Sequence, residues 1–160
     1  MFVRIVRRLA LCAVVPALLG IASPAQAAPR AVPADELSDM IVLQTNLRRE
    51  RLGCGPLRVD PELVLASTRQ SGYMAATGNF GHLGRAGSTF VARARAAGYA
   101  APSGENIAWG YYNATQAMDA WMRSPAHRAN ILNCRARSIG AAVVYSAAGT
   151  PYYTQLFGWV

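Results

Sequence analysis

The chain contains no lysine, so its 16 basic side chains are all arginines, and it holds only two histidines, three cysteines and eight acidic residues. It also lacks a G-x-S-x-G nucleophile elbow, a compact zinc signature such as H-E-x-x-H and a phosphate-binding loop, which removes local support for the enzymes built on them. No internal repeat or low-complexity segment occurs. The arginines are spread along the chain, with only Arg48, Arg49 and Arg51 closely grouped, and no recognition motif or aromatic-rich basic surface accompanies them. Nucleic acid is therefore not an expected partner. The trio is expected on a solvated helix face.

The N-terminus reads as an export signal. Arg4, Arg7 and Arg8 precede an apolar run from Leu9 to Ile21, and the small-residue site Ala25-Gln26-Ala27 follows. Residues 1–27 are expected to be a secretory signal peptide, and the run is too short and too close to the cleavage site to anchor the chain in a membrane. Arg7-Arg8 as a twin-arginine signal is not strengthened by its neighbours. Cys12 as a lipid attachment site is disfavoured by the bulky Leu11 before it and by its place inside the apolar run. Removing three arginines from a net charge of +8 leaves a mature domain of about +5, which allows some attraction to anionic wall polymers or lipid head groups.

With Cys12 gone, Cys54 and Cys134 remain as an even pair in an exported chain, the pattern of a structural disulfide. Such a bridge closes a loop of roughly 80 residues, worth about 4 kcal/mol by chain entropy. A cysteine nucleophile paired with His127 is the alternative, and nothing local supports it.

Residues 28–34 form a short Pro-containing leader, and the remaining domain is placed at 35–160. From Asp35, Leu37, Ile41, Leu43 and Leu47 recur near helical spacing, with Gly53 as a stop near Leu52. A second helix starts where Asp60 can cap and Pro61 fits the first position, with Leu63, Ala66, Gln70, Tyr73 and Met74 down one side. Glycines 78, 81, 84 and 87 mark a loop that carries His82. Ser88 is expected to cap a short helix that Gly98 ends. Asn106–Tyr111 reads as a strand, and Asn113 with Gln116 opens a helix through Met122. Ser124-Pro125 then starts a new turn carrying His127. Ile139, Ala141, Val143 and Tyr145 alternate as a strand, Ala147–Pro151 turns, and Tyr152–Val160 is a further strand. Helices first and strands later predict an α+β fold, with helices covering an antiparallel sheet.

Three ordered segments then stand out: GENIAWG (104–110), WMRSPAHRANIL (121–132) and YYTQLFG (152–158), with His82 upstream. Together with CGPLRVDPELVLAS (54–67) and with Asn46 and Arg48, they resemble the CAP superfamily of cysteine-rich secretory proteins, antigen 5 and plant pathogenesis-related proteins, and more closely its compact secreted bacterial branch. The resemblance covers nearly the whole mature chain. It implies a three-layer α-β-α sandwich with a cleft on one side, and it places the exit of the first helix near the segment after His127, as a Cys54–Cys134 bridge requires.

In such proteins the cleft is lined by histidines and acidic residues that can hold a divalent metal. His82 matches the first cleft histidine, Glu105 the Glu of the ENI segment, and His127 the histidine of the SPGHR segment, with Ala126 in place of Gly. Ser124 and Tyr152 stand where the fuller animal and plant pattern has a second Glu and a second His. No cofactor is required by this pattern. His82, His127 and Glu105 form a reduced set for a divalent ion such as zinc, with room for water; the alternative is a hydrogen-bonded polar cluster that holds loop and helix together.

Trp109, Trp121 and Phe157 are expected in the core. Asn106 and Gln155 are expected to satisfy buried backbone groups near the cleft or to contact a ligand there, and Tyr111 and Tyr112 can line an apolar groove. Asn113-Ala114-Thr115 is formally a glycosylation acceptor. Two functions are compatible with these residues. One is a secreted or cell-wall-associated, non-enzymatic binding module whose cleft takes small lipids, sterols or cell-surface components. The other is a peptidase-like, metal-assisted hydrolase in which Glu105 acts as general base on a water held by His82 and His127.

Overall fold

The computed structural model describes residues 31–160; the expected signal peptide and the first residues of the leader lie outside them. Five helices and four strands follow in the order α1 (Ala34–Glu50), β1 (Arg58–Val59), α2 (Pro61–Thr77), α3 (Phe90–Ala96), β2 (Pro102–Trp109), α4 (Ala114–Arg123), α5 (Pro125–Ile131), β3 (Ser138–Tyr145) and β4 (Pro151–Gly158). The strands form one sheet in the order β1-β3-β4-β2, with β2 at an edge. α1, α4 and α5 cover one face and α2 and α3 the other, which makes the expected three-layer sandwich. The sheet is mixed and not wholly antiparallel, because the two-residue β1 pairs parallel to β3. Two residues are too short for any alternation to register in the sequence.

Local chemistry explains most boundaries. Asp60 accepts hydrogen bonds from the backbone N–H groups of Glu62 and Leu63, both at 3.0 Å, and Gly78 ends α2 in the left-handed region at φ 72°. Asn113 caps α4 through the N–H of Gln116. α3 is capped by Thr89, whose hydroxyl accepts from the N–H of Ala92, so the expected cap at Ser88 is off by one residue. The Ser88 carbonyl serves Arg93 instead. β2 begins at Pro102 and stops at Trp109, because Gly110, at φ 78°, turns the chain.

The core face of α1 departs from the expected one. Leu37, Ile41, Thr45 and Arg49 are buried at strict four-residue spacing, while Leu43 and Leu47 are exposed. Arg49 is fully buried, correcting the solvated trio. Its guanidinium donates to the carbonyls of Gly55, Ile131, Asn133 and Ala136, tying the exit of α1 to that of α5. Cys54 and Cys134 are bridged beside it, with Cα atoms 4.9 Å apart. The end of the leader is also held: Val32 packs on the core and its carbonyl accepts from the Tyr145 hydroxyl at 2.8 Å.

The main core lies between the sheet and α1, α4 and α5, where Trp121 meets the ring of Tyr153 edge-on at 6.4 Å. On the other face α2 sits so close that a side chain on Gly140 of β3 would overlap the backbone of Leu63 and Val64. Ser67 and Ser71 use that proximity to donate to the carbonyls of Gly140 and Ala142.

Candidate ligand cleft

Strand alternation decides what each residue of GENIAWG can reach. Glu105 and Ile107 share the α2 and α3 face with Tyr152, Thr154 and Leu156. Asn106 and Ala108 share the opposite face with Tyr153, Gln155 and Phe157. Glu105 is thus delivered to the layer that holds His82, while His127 belongs to α5 in the other layer.

The Glu105 carboxylate is almost wholly buried and both its oxygens are engaged. His82 Nδ1 donates to Oε1 at 2.8 Å, and the guanidinium of Arg93 donates to Oε2. Arg93 also donates to the carbonyls of His82 and Ser88, so one buried guanidinium fixes both the carboxylate and the loop that presents the histidine. The His82 side chain itself is 56 % exposed. Its hydrogen bond to Glu105, with the charge of that carboxylate, raises its pKa above the ordinary imidazole value, against the lowering by burial and by the nearby Arg93. His127 is shifted the other way, by burial first and then by the charge of His82. No hydrogen bond joins the His127 ring to Glu105 among the described residues.

A metal set of His82, His127 and Glu105 does not fit this arrangement. The carboxylate oxygens are held by Arg93 and His82, and among the described residues no group of three or more His, Cys, Asp or Glu side chains is gathered to hold an ion. Asn106 and Gln155 lie inside the molecule, paired across β2 and β4. Asn106 donates to the Gln155 side-chain oxygen at 3.0 Å and to the His127 carbonyl at 3.2 Å. Gln155 donates to the Thr45 hydroxyl at 2.7 Å, and Asn130 donates to Asn106 at 2.9 Å. Asn106 therefore positions α5, while Gln155 serves side chains and no backbone group. Neither opens onto solvent.

What does open is a recess of about 260 Å³ at the free edge of β2. Phe80, after α2, borders it, as do Trp121 of α4, His127 of α5 and Ser124 between those helices, together with Ile107 and Trp109 of β2. Trp109 is 53 % exposed, correcting its expected place in the core. It stacks on the buried Tyr152 at 6.2 Å and meets Phe80 at 6.3 Å, so Tyr152 supports the recess from behind. Tyr111 lines it and Tyr112 is exposed nearby in sequence.

Arg93 and Asn130 are the residues of this region that sequence reading passed over. Arg93 sits with Phe90, Ala94 and Ala97 on the inner side of a short helix, and an arginine on an apolar face was the available signal.

Comparison with known proteins agrees with this architecture. The family model described as CAP, cysteine-rich secretory protein family, matches residues 43–157. The uncharacterized protein YkwD of Bacillus subtilis is 34 % identical over 132 residues, covering 81 % of this chain and 49 % of that protein. An extracellular SCP-domain protein of Bacillus anthracis superposes with TM-score 0.71 at 25 % identity, covering 79 % of this chain and 41 % of that one. An outer surface protein of Borrelia burgdorferi gives 0.72 at 19 % identity, covering 79 % of this chain and 95 % of that one. The chain thus spans about half the length, or less, of the two Bacillus proteins.

Proposed function

Because the chain belongs to the cysteine-rich secretory protein family, we propose that it is an extracellular binding module whose ligand enters the aromatic recess at the edge of β2. The observation that carries this reading is the half-exposed Trp109, held against Tyr152 and Phe80 in a recess that His127 also lines. Large aromatic surface left open beside a few polar groups is the ordinary composition of a binding site. A volume of about 260 Å³ suits a ring or a short apolar segment of a larger ligand, such as a small lipid or sterol or an exposed part of a cell-surface component. An extracellular location is supported by the export signal read in the sequence, by the disulfide and by structural neighbours that are extracellular or outer surface proteins.

The hydrolase reading gains no support from the geometry. A general base must be reached by the water it activates, and the Glu105 side chain is 1 % exposed and paired with Arg93 and His82. The deciding experiment is extraction and mass spectrometry of what co-purifies with the secreted protein, repeated on Trp109→Ala. A lipid or surface fragment lost in the variant is expected. Hydrolytic turnover abolished by Glu105→Gln, with no ligand recovered, would reverse the assignment.

A further inference from the structure

We propose that the groove between α2 and α3 is a second ligand site, separate from the recess under Trp109, and that it takes an amphiphile with an apolar chain and a phosphate head. The groove has a volume of about 630 Å³, within the range of about 300–1,000 Å³ usual for small-molecule sites. Gly72 and Tyr73 of α2 and Ala92 and Ala96 of α3 line it. Gly72, Ala92 and Ala96 leave the space open and, with Tyr73, give it an apolar wall, while Thr68, Gln70 and Ser88 add polar groups.

The charges are one-sided. Arg69, Arg85 and Arg93 line the groove and no Asp or Glu does. Arg93 is neutralised by Glu105, whereas Arg69 and Arg85 have no carboxylate partner among the described residues. Arg69 reaches across to the Ala96 carbonyl on α3 at 3.5 Å. Arg85 is carried by a 3-10 turn, Arg85–Gly87, in which Ala86 adopts φ 53°, a conformation uncommon for any residue but glycine. Gln70 and Arg93 line the groove as well, and Gln70 Oε1 and Arg93 Nε are buried without a hydrogen-bond partner among the described residues.

Two unpaired guanidiniums match the charge of about −1.5 to −2 that a phosphate monoester carries near pH 7, and their planar forks suit its oxygens. A carboxylate would leave one cation unbalanced, and a neutral alcohol would leave both. The apolar walls supply the preference for a chain over inorganic phosphate.

Calorimetric titration of the mature protein with monomeric decyl phosphate tests this against decanoate, decanol and inorganic phosphate. Decyl phosphate is expected to bind one per chain and at least tenfold more tightly than the other three. The exposed-site variant Arg69→Gln/Arg85→Gln should lose at least tenfold, Ala96→Trp should block the groove, and Arg58→Gln, at an exposed arginine of β1 outside the groove, should change nothing. Equal affinity for decanol, binding indifferent to the arginine pair, or an equal loss of binding in Arg58→Gln would overturn the proposal. So would binding to vesicles containing phosphatidic acid without binding to monomeric decyl phosphate, since that is attraction to a charged surface and not an enclosed site.

Discussion

Arg93 donates to the carboxylate of Glu105 in the interior, and the two side chains are 6 % and 1 % exposed. Removing one member of a buried ion pair leaves the other charged and without compensation, a loss of about 3–5 kcal/mol in comparable cases. Arg93→Leu is therefore expected to be destabilised on that scale in urea unfolding, and Arg93→Leu/Glu105→Leu by less than Arg93→Leu alone. A double variant at least as unstable as the single one would mean that packing, and not charge, makes this pair matter.

The same pair bears on metal. With Glu105 committed to Arg93 and His82, titration of the wild-type protein with zinc at pH 7.5 is expected to give no one-per-chain binding that depends on both His82 and His127. Stoichiometric binding abolished by His82→Ala and by His127→Ala would show that the carboxylate leaves Arg93 to join the ion.

Both histidines report their surroundings through pH. The folded-state pKa of His82 is raised, so its protonated form favours the fold; that contribution is complete below the unfolded value of about 6.5 and disappears as pH rises through the folded value. His127 is lowered, so its protonation opposes the fold, and the penalty grows as pH falls from about 6.5 toward its folded value. Because the chain has only two histidines, proton NMR resolves both, and His127→Asn assigns them. His82 should titrate above His127, and Glu105→Gln should bring the His82 midpoint down.

Arg49 should resist even conservative replacement. Its planar fork reaches four carbonyls in two segments, Gly55 and residues 131–136, which a lysine ammonium cannot copy. Arg49→Lys is expected to cost at least about 2 kcal/mol, since buried carbonyls lose their donors, and thermal unfolding measures it. A variant within about 0.5 kcal/mol of wild type, the usual range for surface changes, would mean that water substitutes freely there.

Gly140→Ala is expected to destabilise by at least about 1–3 kcal/mol, the range for overpacked sites, because the new methyl group would meet backbone atoms of α2 that cannot rotate away. Denaturant unfolding again decides. A neutral result would mean that α2 can lift from β3 without loss.

Much of the framework was legible in the chain itself, for local reasons. Asp60-Pro61 and Asn113 state their helix starts because a cap acts within three residues, Gly78 ends α2 by its left-handed conformation, and the alternation from Ile139 to Tyr145 declares a strand. The ordered motifs led to the right family and sandwich, and the pair Cys54 and Cys134 pointed to its bridge. β1 was not legible, because two residues carry no period.

The chemistry of the cleft was decided by tertiary structure. Sequence alone put His82, Glu105 and His127 forward as one set, but the two-residue period of β2 sends Glu105 toward α2 and α3, and α3 then brings Arg93 to it. Nothing within a few residues of Glu105 announces that partner. Likewise an arginine at the end of α1 reads as solvated until the carbonyls of Gly55, Ile131, Asn133 and Ala136 converge on it, and Trp109 reads as core until its strand proves to be the edge of the sheet. Caps and turns depend on neighbours along the chain and can be read there, whereas burial of a charge or exposure of an aromatic depends on which distant segments arrive, and only the packed fold supplies them.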